Sequence, residues 1–148
     1  MKELTKWLET NKITEIECIT PDQTGIARGK IMPTDKFIAE KGIRLPESVL
    51  MQTTTGDYPD NEIYYRLLDP QDIDMELRPD EKAAFTVPWA QEPSAQIIHD
   101  CYDSMGNLMP LSSRAVLKNV LKLYEDKGWL AIVAPEVEFY LTKRCTDP

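Results

Sequence analysis

The chain has 148 residues, of which 42% are hydrophobic and 28% are charged, a composition typical of a soluble globular protein with one domain plus at most part of another. Its net charge of -8 and its pI near 4.7 argue against a nucleic-acid partner, because binding to a phosphate backbone depends on clustered lysines and arginines. We therefore look for function elsewhere than in nucleic-acid recognition.

We expect no targeting segment at the N-terminus. Its first seven residues carry charges where a signal peptide has an apolar core, and no apolar run approaches the ~20 residues of a membrane span. We therefore expect a cytoplasmic protein that has no membrane partner.

The three cysteines, Cys18, Cys101 and Cys145, lie far apart, and their odd number fits no complete disulfide framework. Cys18 and Cys101 lie in apolar strand contexts, which predicts that both are small core residues. Cys101 could instead be a nucleophile with His99 as its base, but the sequence supplies no third group to orient that base. The core role is therefore favoured.

The first third of the chain predicts a helix, a hairpin and a second helix. Residues 2–10 repeat apolar side chains at helical spacing and predict a short amphipathic helix. Residues 13–19 alternate in polarity, and turn-forming residues separate them from a second run that ends at Met32, so the two runs predict a β-hairpin. Residues 33–40 predict the next helix.

Two segments leave a choice between a structural and a functional role. The stretch from Arg44 to Pro70 has too many prolines, glycines and asparagines for long elements, and it predicts a long loop. Such a loop is either functional or simply mobile. The basic cluster Arg28-Gly29-Lys30 is either a solvated strand end, which is favoured, or a contact to a ligand.

Three further strands are predicted at residues 73–77, 83–87 and 95–102, each bounded by proline, aspartate or glycine. A hairpin, then a helix, then more strands is the pattern of an α+β fold in which a helix crosses one face of a mixed sheet. The sequence therefore predicts a β-grasp-like domain.

The C-terminal part predicts one more helix and one more strand. The helix begins at Ser112 or Ser113, ends at Gly128, and carries an apolar stripe of Leu117, Val120, Leu121 and Tyr124. The final strand is predicted from about Leu130 to Leu141.

Glu136 and Glu138 share one face of this last predicted strand, because alternate side chains of a strand point to the same side. Their Cβ atoms would lie roughly 7 Å apart, close enough for divalent cations to bind one or both. The spacing alone favours the simpler alternative of two ordinary glutamates on a solvated strand.

The residues around this pair form a longer pattern. The sequence APEVEFYL at 134–141 resembles the P-E-x-E-F-x-L motif of the glutamine synthetase family. An ordered series of upstream residues resembles the family block that leads into the catalytic domain: Asp80, Val87-Pro88-Trp89-Ala90, His99-Asp100-Cys101-Tyr102, Gly106, Ser113-Arg114 and Val116-Leu117. The resemblance implies an N-terminal β-grasp domain over residues 1–104 and the truncated start of the catalytic domain over residues 105–148.

The resemblance also implies an activity. Members of the family are ATP-dependent ligases that join ammonia or an amine to the γ-carboxylate of glutamate through a γ-glutamyl phosphate. Glu138 would hold the Mg²⁺ or Mn²⁺ ion that organises the amino-acid substrate, and Glu136 the ion that bridges the phosphates of ATP. Asp74 matches a family aspartate near the ammonium or amine pocket, and an exposed strand charge is the alternative. No residue here is assigned to the nucleotide itself.

The resemblance places the family's remaining metal ligands, its nucleotide pocket and its glutamate-binding arginine beyond residue 148. The chain alone is therefore expected to be inactive. The family resemblance also implies a homo-oligomeric ring, in which this domain closes the active site of a neighbouring subunit. Two segments, Arg28-Gly29-Lys30 and the LPESV sequence at 45–49, resemble the glutamate–polyamine branch of the family more than the ammonia-using synthetases. This branch is the one that is similar to γ-glutamylputrescine synthetase. A second family aspartate falls on Thr53, which disfavours ammonium because a carboxylate is missing there, unless the long loop places Asp57 or Asp60 in the same pocket.

Two hypotheses about function follow. The chain is either the N-terminal part of such a ligase or a free-standing β-grasp module that binds another protein without catalysis.

Overall fold

The computed structural model of the chain describes residues 1–68 and 72–144. Within these ranges the elements are α1 (Lys2–Thr10), β1 (Glu15–Pro21), β2 (Ala27–Pro33), α2 (Thr34–Glu40), β3 (Ile43–Pro46), a 3-10 helix (Glu47–Met51), α3 (Glu62–Leu67), β4 (Asp74–Thr86), β5 (Ser94–Tyr102) and α4 (Ser113–Glu125). In this part of the chain, none of the helices is both long enough and apolar enough to span a membrane.

The strands form one mixed sheet in the order β2-β1-β5-β4-β3. β1 and β2 form the antiparallel hairpin, β1 and β5 pair in parallel at the centre, and β4 runs antiparallel to both β5 and β3. A parallel pair needs a long crossover, which the chain between β1 and β5 supplies. The predicted α+β class with a mixed sheet is therefore confirmed.

The core lies on one face of this sheet, because side chains alternate between the two faces of each strand. In β1 this alternation buries Ile16, Cys18 and Thr20. The apolar side chains of this core include Leu4 and Leu8 of α1, Phe37 of α2, Leu50 of the 3-10 helix, and Ile16, Cys18, Met75, Leu77, Ala95, Ile97 and Cys101 of the strands. Full burial of one large apolar side chain stabilises the fold by about 1.5–3 kcal/mol.

The predicted core role of two cysteines is confirmed. Cys18 and Cys101 are fully buried, and burial raises the pKa of Cys18 to about 12 and also raises the pKa of Cys101. His99 is equally buried, and its Nδ1 lies 2.8 Å from the carbonyl oxygen of Ile97. A buried thiol with a raised pKa is a poor nucleophile, so the alternative of a Cys101–His99 pair is wrong. Cys145 lies outside the described residues.

Both halves of the predicted long loop contain regular structure. Ile43 and Leu45 alternate into the core as β3, and the side chain of Asn61 caps α3 by accepting from the backbone nitrogen of Tyr64 at 2.9 Å. The prediction of one loop is therefore wrong for β3, the 3-10 helix and α3. Residues 69–71, which include the predicted Asp69-Pro70 breaker, lie outside the described residues.

The two strands predicted at 73–77 and 83–87 form the single strand β4. Its register against β5 shifts between Pro79 and Ala84, so the polar residues between the two apolar runs form an irregularity and no turn. Polar residues can interrupt an apolar pattern without ending the strand, since a bulge leaves the flanking ladders paired.

The strand predicted from Leu130 to Leu141 is not found. Residues 129–144 carry no helix or strand, and side chains such as Phe139 and Leu141 are 75% and 93% exposed. The alternation of apolar and polar residues predicts a strand with one buried face. A strand also needs a neighbouring strand for its backbone hydrogen bonds. No described strand pairs with this segment.

The buried imidazole makes a prediction about pH. Burial lowers the pKa of His99 from 6.5 to about 4. The unfolded chain therefore binds a proton that the folded chain does not hold, so stability is full above pH 6.5 and falls as the pH drops from 6.5 to 4. We expect the free energy of unfolding in urea to fall by about 3 kcal/mol over this interval.

The variant His99→Phe is the control, because His99 is the one histidine of the sequence. It should keep only the pH dependence that the carboxylates produce. An equal decrease in the variant and in the wild type would contradict the assignment to His99.

Candidate functional site

A groove of about 590 Å³ lies between β2, α2 and β3. Gly42 shapes its floor: with φ at +152°, a Cβ atom there would lie 2.2 Å from the carbonyl oxygen of Leu77. The chain can pass this close to β4 only without a side chain. On the other side, the Lys30 Nζ donates to the carbonyl oxygen of Arg44 at 2.9 Å and ties β2 to β3.

The groove carries charges of both signs. Its lining includes three cations and three carboxylates: Lys30, Lys36, Arg44, Glu40, Asp74 and Glu76. Asp74 is the first residue of β4, and its side chain is exposed. Its carboxylate makes no hydrogen bond or ion pair to a described residue, so it is free to meet a ligand. The structure therefore places Asp74 in a groove, and its role in an amine pocket stays a prediction.

Arg28 lies at the start of β2, and its environment differs from both alternatives considered for the basic cluster. Its Nε donates to Oδ2 of Asp22 at 2.8 Å, and its Nη2 donates to the carbonyl oxygen of Thr53 at 2.9 Å. Asp22 is fully buried and also accepts from the backbone nitrogens of Thr24 and Ile26 at 2.8 and 2.9 Å. Arg28 is therefore committed to internal contacts and is not a solvated strand end.

The pKa of Asp22 reflects these contacts. Burial alone would raise the pKa of this carboxyl, but the hydrogen bonds from Arg28, Thr24 and Ile26 together outweigh burial and hold it below its ordinary value. Asp22 is thus ionised in the fold. The spacing of Asp22 and Arg28 across a turn was visible in the sequence, but the turn's closure onto Thr53 was not.

Thr53 begins a tight turn that ends at Asp57. The backbone nitrogen of Thr53 donates to the carbonyl oxygen of Asp57 at 2.9 Å, and the backbone nitrogen of Asp57 donates to Oγ1 of Thr53 at 3.1 Å. The hydroxyl of Thr55 lies 3.0 Å from that of Thr53 and donates to Oδ2 of Asp57 at 2.7 Å. A carboxylate therefore stands beside Thr53 after all, supplied by Asp57.

Glu136 and Glu138 lie on the extended segment that follows α4. Both are exposed, and neither makes a hydrogen bond or an ion pair to a described residue. In the described part of the chain, no group of three or more histidine, cysteine, aspartate or glutamate side chains is arranged to hold a metal ion. The metal-ligand role of both glutamates stays a prediction.

Comparison with known proteins decides the family. The chain is 32% identical over 127 residues to a glutamine synthetase of Halobacterium salinarum, which is 83% of this chain and 28% of that protein. It is 33% identical over 117 residues to glutamine synthetase of Staphylococcus aureus, with 74% and 26% covered. The chain belongs to the glutamine synthetase family, and it corresponds to the family's N-terminal region.

Two further findings complete the comparison. A glutamate–isopropylamine ligase of Pseudomonas sp. is 26% identical over 137 residues, 91% of this chain and 30% of that protein. A solved structure described as a GmaS/ADP complex in its conformation 1 matches 86% of the chain and 26% of its own chain, with a TM-score of 0.67 at 21% identity. This likeness supports the fold. No family model matches the chain.

The chain therefore spans less than a third of the length of the curated relatives it matches. Three features of this N-terminal region carry exposed carboxylates that could bind a ligand: the groove with Asp74, the Thr53–Asp57 turn and the pair of Glu136 and Glu138.

The buried ion pair makes a prediction about stability. Asp22→Ala leaves the guanidinium of Arg28 without its partner and removes the acceptor of two backbone nitrogens, so we expect the free energy of unfolding to fall by about 3 kcal/mol. Denaturant unfolding followed by circular dichroism measures this change.

Glu76→Ala provides the matched control. The Glu76–Arg78 pair has the same 2.8 Å separation, but its side chains are 49% and 44% exposed, so its loss should cost less than about 1 kcal/mol. Equal losses in the two variants would show that burial does not govern the strength of the Asp22–Arg28 pair.

Proposed function

We propose that the chain is the N-terminal part of an ATP-dependent ligase that joins an amine to the γ-carboxylate of glutamate. The observation that carries this proposal is the 32% identity to a glutamine synthetase over 83% of the chain. The APEVEFYL sequence at 134–141, which resembles the P-E-x-E-F-x-L motif of the family, adds support. In the reaction, a γ-carboxylate oxygen attacks the γ-phosphorus of ATP and releases ADP, and the amine then displaces phosphate from the γ-glutamyl phosphate.

An apolar surface favours this proposal over a free-standing module. Apolar side chains on α4 and on the segment after it are exposed: Val116, Leu117, Val120, Leu121, Leu123, Tyr124, Trp129, Leu130, Ile132, Val133, Val137, Phe139 and Leu141. Exposed apolar side chains in this number are typical of a region that another part of the protein covers. The remaining length of the relatives offers such a cover, whereas a module would need a separate partner.

Glu136 and Glu138 are the residues of this chain that we propose as ligands of Mg²⁺ or Mn²⁺. Carboxylate oxygens are the ligands that these ions prefer, and both side chains are free of partners within the described part of the chain. When bound, the divalent ions neutralise charge as the phosphoryl group moves. Two carboxylates are too few for two complete sites, so we expect the chain alone to be inactive.

We further propose that the nucleophile is an organic amine. One of the relatives is a glutamate–isopropylamine ligase, and the sequence at 28–30 and 45–49 resembles the polyamine branch. Asp57 would attract the ammonium form of the amine beside Thr53, and Asp74 would line the amine pocket, in a ring in which each subunit completes its neighbour's site. Carboxylates favour a cationic ligand at both positions.

The metal ligands are tested in the full-length parent. Glu138→Gln keeps the size of the side chain but removes its charge, so we expect ATP- and glutamate-dependent turnover to fall by at least about 100-fold with an unchanged circular dichroism spectrum. Glu125→Gln, an exposed glutamate of α4, is the control and should leave turnover unchanged. A fully active Glu138→Gln enzyme would overturn the metal-ligand assignment.

The amine pocket is tested with a panel of amines. We expect the parent to have a higher kcat/KM for an organic amine than for ammonium, and Asp57→Asn to raise the KM for the amine by roughly tenfold, because a charge–charge attraction of about 1.4 kcal/mol is lost. Asp60→Asn is the control from the same segment, because the carboxylate of Asp60 accepts from the hydroxyl of Tyr65 at 3.3 Å. It should leave the KM for the amine unchanged. A parent that prefers ammonium, or an Asp57→Asn enzyme with unchanged KM, would contradict this part of the proposal.

A further inference from the structure

The two sides of α4 differ in character. Its apolar stripe of Leu117, Val120, Leu121 and Tyr124 is between 41% and 57% exposed and does not pack on the sheet. Ala115 is the one buried residue of the helix. The apolar contact between α4 and the β-grasp sheet is therefore small, and something else must hold the helix in place.

Ion pairs provide this attachment. Asp100 of β5 is 6% exposed, and its Oδ1 accepts from Nε of Arg114 at 3.0 Å while its Oδ2 pairs with Nζ of Lys118. The same guanidinium reaches Oδ2 of Asp80 in β4 at 2.6 Å. Arg114 and Lys118 are four residues apart and project from one side of the helix. Two carboxylates of the sheet thus meet two cations of α4.

Asp100 is the centre of this network, because it alone contacts both cations. Burial alone would raise the pKa of its carboxyl, but the hydrogen bonds from Lys118 and Arg114 outweigh burial and lower it. The start of the helix is held more weakly: the hydroxyl of Ser113 donates to the carbonyl oxygen of Pro21 at 3.4 Å, and the N-cap residue Ser112 makes no side-chain capping hydrogen bond. The ion pairs add charged contacts at Arg114 and Lys118 that resist rotation of α4 on the sheet.

We propose that Asp100 is a positioning residue that fixes the orientation of α4 on the sheet and thereby directs the segment carrying Glu136 and Glu138. The second half of this statement rests on the proposed function. Asp80, Asp100 and Arg114 all lie in the sequence block that resembles the family, but the reaction itself assigns them no role. Their shared network gives them one: the connection between the sheet and the glutamate pair.

The first test uses the 148-residue chain and amide hydrogen exchange. In Asp100→Asn the amides of residues 116–125 should exchange at least about tenfold faster than in the wild type, while β1 and β5 keep their protection, because only the attachment of α4 is weakened. Added NaCl should speed exchange in α4 of the wild type more than in the variant.

Asp126→Asn is the matched control, because it removes the exposed Lys122–Asp126 pair from the same helix without affecting its contact with the sheet. It should leave exchange in residues 116–121 unchanged. If Asp100→Asn does not fold, Lys118→Met removes one half of the network from the partly exposed side. Wild-type protection of α4 in Asp100→Asn and in Lys118→Met would overturn the proposal, and so would an equal loss of protection throughout the sheet.

The second test uses the full-length parent. Asp100→Asn should lower kcat by roughly tenfold and raise the Mn²⁺ concentration for half-maximal activity, with little change in the KM for ATP, since displaced metal ligands affect catalysis through geometry. If α4 loses protection but these parameters do not change, the positioning of the glutamate pair is refuted. A wild-type parent without ligase activity would instead refute the proposed function and leave the exchange result valid.

Discussion

The parallel pairing of β1 with β5 is the contact on which the rest of the structure depends. Ile16, Cys18 and Thr20 of β1 and Ile97, His99 and Cys101 of β5 are fully buried on the same face, where α1 and α2 cover them. Because that face is filled with side chains at close packing, it has no room for a ligand. Chemistry is therefore confined to the edges of the sheet, its second face and the segments beyond it.

The candidate functional residues follow this division. Asp74 is the first residue of β4 and lines the groove, the Thr53–Asp57 turn lies in the connection between β3 and β4, and the glutamate pair follows α4. The buried charges serve the fold instead, since Asp22 holds the turn through Arg28 and Asp100 holds α4. The same side-chain type thus stabilises the fold where it is buried and paired, and is available to ligands where it is exposed.

The sequence predicted the elements whose signal is local. The helical spacing of α1, the alternation of β1 and β5 and the hairpin between β1 and β2 each depend on neighbouring residues, and the structure confirms them. β4 was divided in two because a bulge interrupts an apolar pattern as a turn does. The last strand was wrong for the opposite reason: residues 130–141 alternate correctly, but the described chain offers them no partner strand.

The candidate site divides in the same way. The resemblance to the family indicated Glu136, Glu138 and Asp74 as candidate site residues. It did not indicate where they lie in space, because a motif records only the order of residues along the chain. Arg28 reaches Thr53 across 25 positions, and Asp100 reaches Lys118 across 18, and neither contact follows from local spacing. Contacts between distant segments depend on the register and curvature of the whole sheet, which the sequence pattern did not define.

We propose that this N-terminal region supplies two metal ligands to a ligase of the glutamine synthetase family. The most direct test of this proposal is the crystal structure of the full-length parent grown with Mn²⁺ and ATP, with the ions located by anomalous scattering. We predict that carboxylate oxygens of Glu136 and Glu138 lie within roughly 2.0–2.5 Å of two different ions. Ions held entirely by other residues, with both glutamates in solvent, would contradict the account.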